Sequence, residues 1–281
     1  MVRLVIKSTD ADTTVRIERM DVADAMTTAL DPTARFSDRV DDYVRYRPHY
    51  PAALIEWLRD AQGVDARWRV ADIGAGTGIS TRMWLEAGHA VIGVEPNDAM
   101  RDAAQAWLAA YPHLTWIAAT AEATRLPDGS VDLVSAAQAF HWFDVQRVRI
   151  EWARILRPGG LAVVYWNSRL QEGTPFLEGY EDLLRAFGTD YDRVAERYQD
   201  DATMQQWFGS GLRGMAQFPN RQRIDFDGLR GRLLSSSYAP QAGHPRHAAM
   251  LAALRELFDA TAVDGRVDFD YRTRVFAGTL D

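Results

Sequence analysis

Val70 to Thr81 reads VADIGAGTGIST, and no other run constrains the fold as much. A short apolar stretch leads directly into Gly74, Gly76 and Gly78, spaced by two, and a helical pattern begins at Ile79. Glycine reaches backbone conformations closed to other residues and lets a main chain approach a neighbour without a Cβ in the way. A strand that turns into a helix within five residues is the first corner of a βαβ unit. The same alternation then repeats. Strands are expected at Arg69–Ile73, Ala90–Val94, Leu114–Ala118, Val131–Ala137 and Leu161–Trp166. Helices are expected at Ile79–Ala87, closed by Gly88, at Asp98–Ala110, with Asn97 as N-cap, and at Val145–Leu156. Strands alternating with helices of about 10–15 residues imply an α/β chain with a mainly parallel sheet.

The flanks read differently. Residues 1–40 are polar and weakly periodic, an extension that packs late or stays mobile. Tyr43 to Pro51 (YVRYRPHYP) is aromatic, basic and punctuated by proline, and Pro51 suits the first turn of a helix over Ala52–Ala61. Residues 168–215 are helix-like and rich in aromatics. Residues 216–226 and 267–277 return to strand character, with helical stretches at Gly228–Ser236 and Arg246–Ala260 between them. The expected layout is a single domain, 1–281. Residues 41–167 form its core, 168–215 a helical insertion acting as a lid, a dimer contact or a core appendage, and 216–281 the completion of the sheet.

Composition removes whole classes of chemistry. The 281 residues hold no cysteine, which excludes disulfides, thiolate nucleophiles and Cys-ligated metals. Lys and Arg number 32 against 39 Asp and Glu, a net charge of −7. An acidic chain without a basic arm argues against nucleic acid or an anionic membrane as partner. The longest apolar runs, such as Leu161–Trp166, are far short of the roughly 20 residues of a membrane span. The N-terminus lacks a signal peptide's apolar region of about 7–15 residues. The expectation is a soluble, cytoplasmic protein.

The glycine corner places unpaired N–H groups and a partial positive charge at a helix N-terminus, which suits a phosphate or a carboxylate. The dinucleotide fingerprint G-x-G-x-x-G/A needs a small sixth residue, and Ile79 stands there. No G-x-x-x-x-G-K-[ST] run is present, which argues against a nucleoside triphosphate. Glu95 closes the second strand 21 residues after Gly74, and Pro96 stops that strand. A carboxylate there can accept both hydroxyls of a ribose. Together these features ask for an adenosine-like ligand without a pyrophosphate.

On these residues the chain resembles the class I S-adenosylmethionine-dependent methyltransferases, in their small-molecule, type 11-like branch. The matching pieces are Asp72-Ile73-Gly74-Ala75-Gly76-Thr77-Gly78, Val94-Glu95-Pro96 with Met100, Ala121-Glu122, Val131-Asp132-Leu133 and the Arg157-Pro158-Gly159-Gly160 turn. They stand in the family's order across roughly residues 43–167. The resemblance implies a Rossmann-like, seven-stranded, mainly parallel sheet flanked by helices; the helical insertion after strand 5 is read from the residue pattern, and residues 1–40 and 168–215 carry none of the match. It implies S-adenosyl-L-methionine as cofactor. Gly74, Ala75, Gly76 and Gly78 would line its methionine and ribose, and Asp72 would hold the loop or the amino group. Glu95, beside Pro96, would take the ribose hydroxyls. Met100 would pack on adenine, Ala121 and Glu122 would read its edge, and Gln138 would reach the methionine moiety. Met100 and Glu122 also read as a core residue and a solvated loop residue.

Phe140, His141, Trp142 and Phe143 follow the fourth strand, and in open α/β sheets ligands sit outside the carboxyl ends of strands. Aromatic faces suit a sulfonium cation, so Tyr43, Tyr46, Phe140 and Trp142 are candidates for its wall. His141 is either a general base or a structural hydrogen-bonding residue, and an already ionised acceptor would need no base. Arg47 reads as a partner for the cofactor's carboxylate, a partner for an acidic substrate, or a surface ion pair. Trp166 and Asn167 end the fifth strand within reach of substrate. His244 and His247 lack a third ligand and are split by Pro245, so no metal is expected. No Asn/Asp-Pro-Pro-Tyr segment follows the fourth strand, which weakens amine methylation. The expected activity is O-, C- or carboxyl methylation of a small molecule by a monomer or homodimer. The alternatives are a cofactor-binding protein without methyl transfer, as a partner subunit or a cyclase, and an NAD-dependent dehydrogenase.

Overall fold

The computed structural model describes residues 2–9, 12–19, 46–189, 191 and 201–280. By contact the chain divides into two compact units. The larger takes Pro48–Ser168, Tyr198–Asn220 and Arg272–Asp281; the smaller takes Met1–Arg47, Arg169–Arg197 and Arg221–Tyr271. The stretch expected as one insertion, 168–215, is therefore shared between the units.

The larger unit starts with α1 (Ala52–Gln62), which follows Pro51 and closes at Gly63 with φ +72°. β3 (Arg69–Ile73), α2 (Ile79–Glu86), β4 (Ala90–Val94), α3 (Asp98–Trp107) and β5 (Leu114–Ile117) come next. β6 (Val131–Ala137) and α4 (Val145–Ile155) lead into β7 (Leu156–Arg169). α5 (Pro175–Phe187), α6 (Asp201–Phe208), β8 (Leu212–Ile224), α7 (Phe226–Leu234), α8 (His247–Thr261) and β9 (Val267–Gly278) complete the described chain. The sheet order is β5-β4-β3-β6-β7-β9-β8, seven strands. β5, β4, β3, β6 and β7 pair in parallel, so the α/β sheet stands as expected.

Alternation along the strands builds two cores. Val70, Val91, Leu133, Val163 and Tyr165 face one cluster with Leu54, Leu58 and Trp84 of the helices. Ala71, Ile92, Val134, Val164 and Trp166 face another with Trp152 and Ile155 of α4. Successive side chains of a strand point to opposite faces, so one apolar strand serves both layers. Strand order runs outward in both directions from β3 and β6. The crevice of a doubly wound sheet opens at that switch point.

Two readings change. Residues 1–40 are not uniformly irregular, because Val2–Thr9 (β1) and Asp12–Arg19 (β2) pair as an antiparallel hairpin. Pro158-Gly159-Gly160 lies inside β7 instead of in a turn before it. The register there jumps from Val131↔Leu156 to Leu133↔Leu161, and Gly159 takes φ +79°. The extra residues bulge out of the strand, and glycine supplies the backbone freedom this needs. Tyr43 lies outside the described residues.

The smaller unit packs its own apolar cluster. Phe176, Tyr180, Leu183 and Phe187 of α5 meet Leu229 and Leu233 of α7, Leu254 and Phe258 of α8, and Phe269 of β9.

Candidate functional site

The corner after β3 has the geometry its glycines allow. Gly74, Gly76 and Gly78 have φ +64°, +55° and +84°, a region that costs other residues roughly 1–2 kcal/mol each. The N–H groups of Gly74 and Ala75 both donate to Val94 O, at 2.9 and 3.2 Å, which ties the loop to the end of β4. A Cβ on Gly74 would lie 2.7 Å from Ala139 Cβ, so the loop after β3 abuts the loop after β6. A Cβ on Gly78 would lie 2.7 Å from Leu108 Cδ1. A Cβ on Gly76 would meet nothing nearer than Met100 Sδ at 3.8 Å. A Cβ at the middle glycine would therefore make only ordinary contacts, whereas at the outer two it would collide with protein.

Glu95 is buried and turned onto this loop. Its Oε2 accepts the Gly76 N–H at 2.9 Å and its Oε1 the Asn97 N–H at 2.8 Å. Burial raises the Glu95 pKa, and the two backbone N–H bonds and the Arg101 charge oppose the rise. A carboxylate has about four lone-pair sites, so two remain for other donors. Asn97 caps α3 as expected, its side chain accepting from the Met100 N–H at 3.0 Å. Arg101, which sequence reasoning passed over, donates to Glu95 O at 2.9 Å and to Asp98.

Asp72 points into the protein. It is fully buried and accepts from Ser80 Oγ, Thr81 Oγ1 and Ser135 Oγ at 2.6, 2.7 and 2.7 Å. It thereby ties the start of α2 to β3 and β6. Burial raises its pKa against the pull of the three hydroxyls. Trp84 Nε1 extends the network to Ser135 Oγ and Tyr165 Oη, at 3.0 and 3.1 Å.

Gln138 leaves β6 with φ +58°, rare for a residue other than glycine. Its N–H donates to Tyr165 O and its Nε2 to Asn167 O, both at 3.1 Å. Its Oε1 is buried and has no hydrogen-bond partner. Thr77 Oγ1, within the glycine loop, is likewise buried and unpartnered, and sequence reasoning gave Thr77 no role of its own. An unanswered buried acceptor is costly, so strain and unmet polarity together mark the end of β6. Asn167 braces this region, donating to His49 O at 3.2 Å and accepting from Thr273 at 2.5 Å.

The other expected site residues divide. Met100 is buried with its sulfur beside Gly76. Ala121 is buried, and Glu122 accepts the Asp144 N–H at 3.1 Å at the start of α4. Pro96 is exposed. His141 and Trp142 are half-buried in a single 3-10 turn, their rings 4.8 Å apart. Phe140 and Trp166, expected along the crevice, are placed in the core instead. Phe140 is 3% exposed, with its ring 4.9 Å from Trp207. Trp166 is 4% exposed, stacked on Phe276 at 5.4 Å with Arg274 5.0 Å above it. The strand period explains the second case, since Trp166 shares its face with Ala162 and Val164. Arg47 belongs to the smaller unit and donates to Ser235 Oγ and O at 3.1 and 2.8 Å. His247 Nδ1 lies 2.8 Å from Pro240 O, and His244 Nδ1 accepts the Arg246 N–H. Among the described residues no group of three or more His, Asp or Glu could hold a metal, and no helix is long and apolar enough to cross a membrane.

A half-open groove of about 440 Å³ lies between α1 and α2, lined in part by His49, Ile55, Arg59, Arg82 and Glu86. Its two arginines are answered, Arg82 by Glu86 at 2.7 Å and Arg59 by Ala87 O at 2.6 Å. It includes neither Glu95 nor Gln138. The glycine corner, with Glu95 fastened to its loop and the unanswered polar atoms of Thr77 and Gln138, is the better candidate site.

Comparison with known proteins bears on the family and the fold. A family model described as "Methyltransferase domain" matches residues 71–164. An "Uncharacterized methyltransferase" of Mycobacterium tuberculosis is 40% identical over 167 residues, 59% of this chain and 64% of that relative. The match thus spans less than two thirds of that relative's length. A "Putative methyltransferase" of Dictyostelium discoideum is 31% identical over 184 residues, 63% of this chain and 68% of that relative. Among solved structures, a "Putative Type II Methyltransferase" from Anaeromyxobacter dehalogenans superposes with TM-score 0.63 at 24% identity, over 84% of this chain and 98% of that one. This last likeness concerns the fold.

Proposed function

Because the chain belongs to the class I S-adenosylmethionine-dependent methyltransferases of the type 11 kind, we propose that it binds S-adenosylmethionine at the glycine corner and methylates a small molecule. One observation carries the reading: the Glu95 carboxylate is joined to the loop through Gly76 N–H at 2.9 Å. The ribose acceptor and the glycine loop are thereby one preformed unit.

The residues fit the group. Glu95 keeps lone pairs for two ribose hydroxyls. Gly76 puts no side chain between the loop and a ligand, and Met100 offers a polarisable sulfur beside it. The orphaned Oε1 of Gln138 is an acceptor of the kind an α-ammonium group needs. When bound, the cofactor supplies an electrophilic methyl on a sulfonium, open to in-line attack. The protein's contribution is then mostly alignment, worth up to about 7–11 kcal/mol in ideal cases. His141 takes the proton of a hydroxyl acceptor, and an acceptor already ionised needs no base.

Calorimetric titration with S-adenosylmethionine, S-adenosylhomocysteine and NAD tests the reading. The first two are expected to bind, NAD is not, and Glu95→Ala should abolish the binding. Tight binding of NAD alone would overturn it. Formation of S-adenosylhomocysteine in the presence of an acceptor separates a methyltransferase from a protein that merely holds the cofactor.

A further inference from the structure

Among the described residues of the smaller unit, one buried guanidinium has no counter-charge. Arg232, in the last turn of α7, is 7% exposed. Its Nε donates to Tyr271 Oη at 3.3 Å and its Nη1 to Ser236 Oγ at 3.2 Å. Its guanidinium carbon lies 5.9 Å from the centre of the Phe269 ring. All three neighbours are neutral. Among the described residues no carboxylate pairs with Arg232.

The same unit shows how a buried arginine is ordinarily answered. Arg169 pairs with Glu181, whose Oε2 also accepts from Tyr191 Oη at 2.7 Å. A buried charge left unpaired is costly, and neutral hydrogen bonds or a ring face offset only part of that cost. The C-terminal end of α7 favours a cation, though weakly. A guanidinium carries five N–H bonds in a planar fork. The two bonds above occupy Nε and one hydrogen of Nη1, leaving the rest of the Nη edge unused.

A second observation points to the same spot. Tyr180 of α5 is 2% exposed, and its hydroxyl is buried with no hydrogen-bond partner. Arg232, Tyr238, Arg169 and Tyr271 are the charged and titratable groups acting on it. Burial pushes its pKa up, so the hydroxyl stays protonated and remains a donor. The Phe269 ring joins the two, its centre 4.8 Å from that of Tyr180 and 5.9 Å from the Arg232 guanidinium carbon, so a cationic fork and an unanswered O–H share one buried neighbourhood. Their complement is an acceptor that carries negative charge, and a planar fork matches carboxylate and phosphate oxygens two at a time.

We propose that the smaller unit contains a binding site for a small-molecule oxyanion, a carboxylate or a phosphate, received by the Nη edge of Arg232 and the hydroxyl of Tyr180. The site is built from that unit's own side chains. Its failure would leave the methyl-transfer reading untouched, and the reverse also holds.

The test uses the full chain at low ionic strength. Succinate and inorganic phosphate are titrated separately by calorimetry and in thermal melts, with chloride at matched ionic strength as reference. At least one anion is expected to bind and to raise Tm beyond chloride, as a ligand selective for the folded state must. A response to succinate alone identifies a carboxylate ligand, and a response to phosphate alone a phosphorylated one. Arg232→Met should weaken binding at least tenfold and cancel the Tm response. It should also raise the anion-free Tm, because an uncompensated charge is removed. Tyr180→Phe, which deletes one oxygen, should weaken binding several-fold, and it decides the matter if the methionine variant does not fold. No response beyond chloride, or a response undiminished in the variants, overturns the proposal.

Discussion

Asp72 of β3 and Ser135 of β6 stand opposite one another in the sheet, and the serine hydroxyl donates to the buried carboxylate at 2.7 Å. Ser80 and Thr81 complete the ring of donors. The acid thus fastens the two central strands to the start of the helix behind the glycine loop. Ser135→Ala removes one hydrogen bond to a buried acid, and a loss of about 1.5–3 kcal/mol in urea unfolding is expected.

The titration of Asp72 has a definite sign. Burial raises its folded pKa above the unfolded value. The folded chain therefore holds the proton more tightly than the unfolded chain does. The stability linked to this proton is complete below the unfolded carboxylate range and is lost as pH rises through the folded pKa. Asp72→Asn is permanently neutral and escapes that loss. The difference between variant and parent should move in favour of the variant as pH rises from about 4. A difference that stays constant with pH would contradict this.

Gly76 and Gly78 separate backbone strain from steric exclusion. Both have positive φ, so alanine at either costs roughly 1–2 kcal/mol of strain. At Gly78 the methyl also strikes Leu108 at 2.7 Å, whereas at Gly76 its nearest neighbour is Met100 Sδ at an ordinary 3.8 Å. Gly78→Ala should therefore be clearly the less stable of the two. Gly76→Ala should fold, with the larger share of its damage falling on cofactor affinity. Paired melting and calorimetry would show whether the two effects separate in this way.

The strand and helix alternation from Trp68 to Trp166 was legible because each element is short, strongly patterned and bounded by Gly, Pro or Asn. Asn97 as N-cap and Gly88 as helix end follow from backbone chemistry alone. Sequence order also located Glu95 and Gln138, both set at strand ends. It could not show which way a side chain turns there. Trp166 follows Ala162 and Val164 into the core, and Asp72 turns away from the loop toward three hydroxyls up to 63 residues away. The β1–β2 hairpin was missed although Val2, Leu4 and Ile6 alternate opposite Val15 and Ile17, because polar composition was weighed above a period of two. The smaller unit gathers three separated stretches of chain, and no local pattern encodes that assembly. Arg232 and Tyr180 escaped notice for the same reason.

Glu95 should make cofactor binding sensitive to pH. Burial raises its pKa, so its carboxylate takes up a proton at a less acidic pH than an exposed glutamate would. Protonation converts an acceptor already engaged by Gly76 and Asn97 into a partial donor, at the expense of the ribose hydroxyls. Affinity for S-adenosylmethionine is expected to fall as pH drops through that pKa. Glu95→Gln should bind about tenfold more weakly above the transition, roughly the value of one charged hydrogen bond, and should show no transition of its own. Titrations across pH in both proteins would decide. An unchanged pH profile in the glutamine variant would move the titration to another group.

Gln138 offers the sharpest separation of binding from folding. In this structure its Oε1 is buried without a partner, and its backbone sits at φ +58°. Neither feature stabilises the chain, and its Nε2 bond to Asn167 O is worth about 0.5–1.5 kcal/mol at most. Gln138→Gly relieves the backbone and removes the orphan acceptor, so the loss of stability should be small or even reversed. The same change deletes the acceptor assigned to the cofactor's ammonium group. Affinity should then drop by about 1.5–3 kcal/mol, roughly 10- to 150-fold, as for a hydrogen bond to a charged partner. S-Adenosylhomocysteine keeps that ammonium group but lacks the sulfonium, so it should lose affinity by the same factor as S-adenosylmethionine. A loss confined to the sulfonium compound would place Gln138 near the methyl group instead.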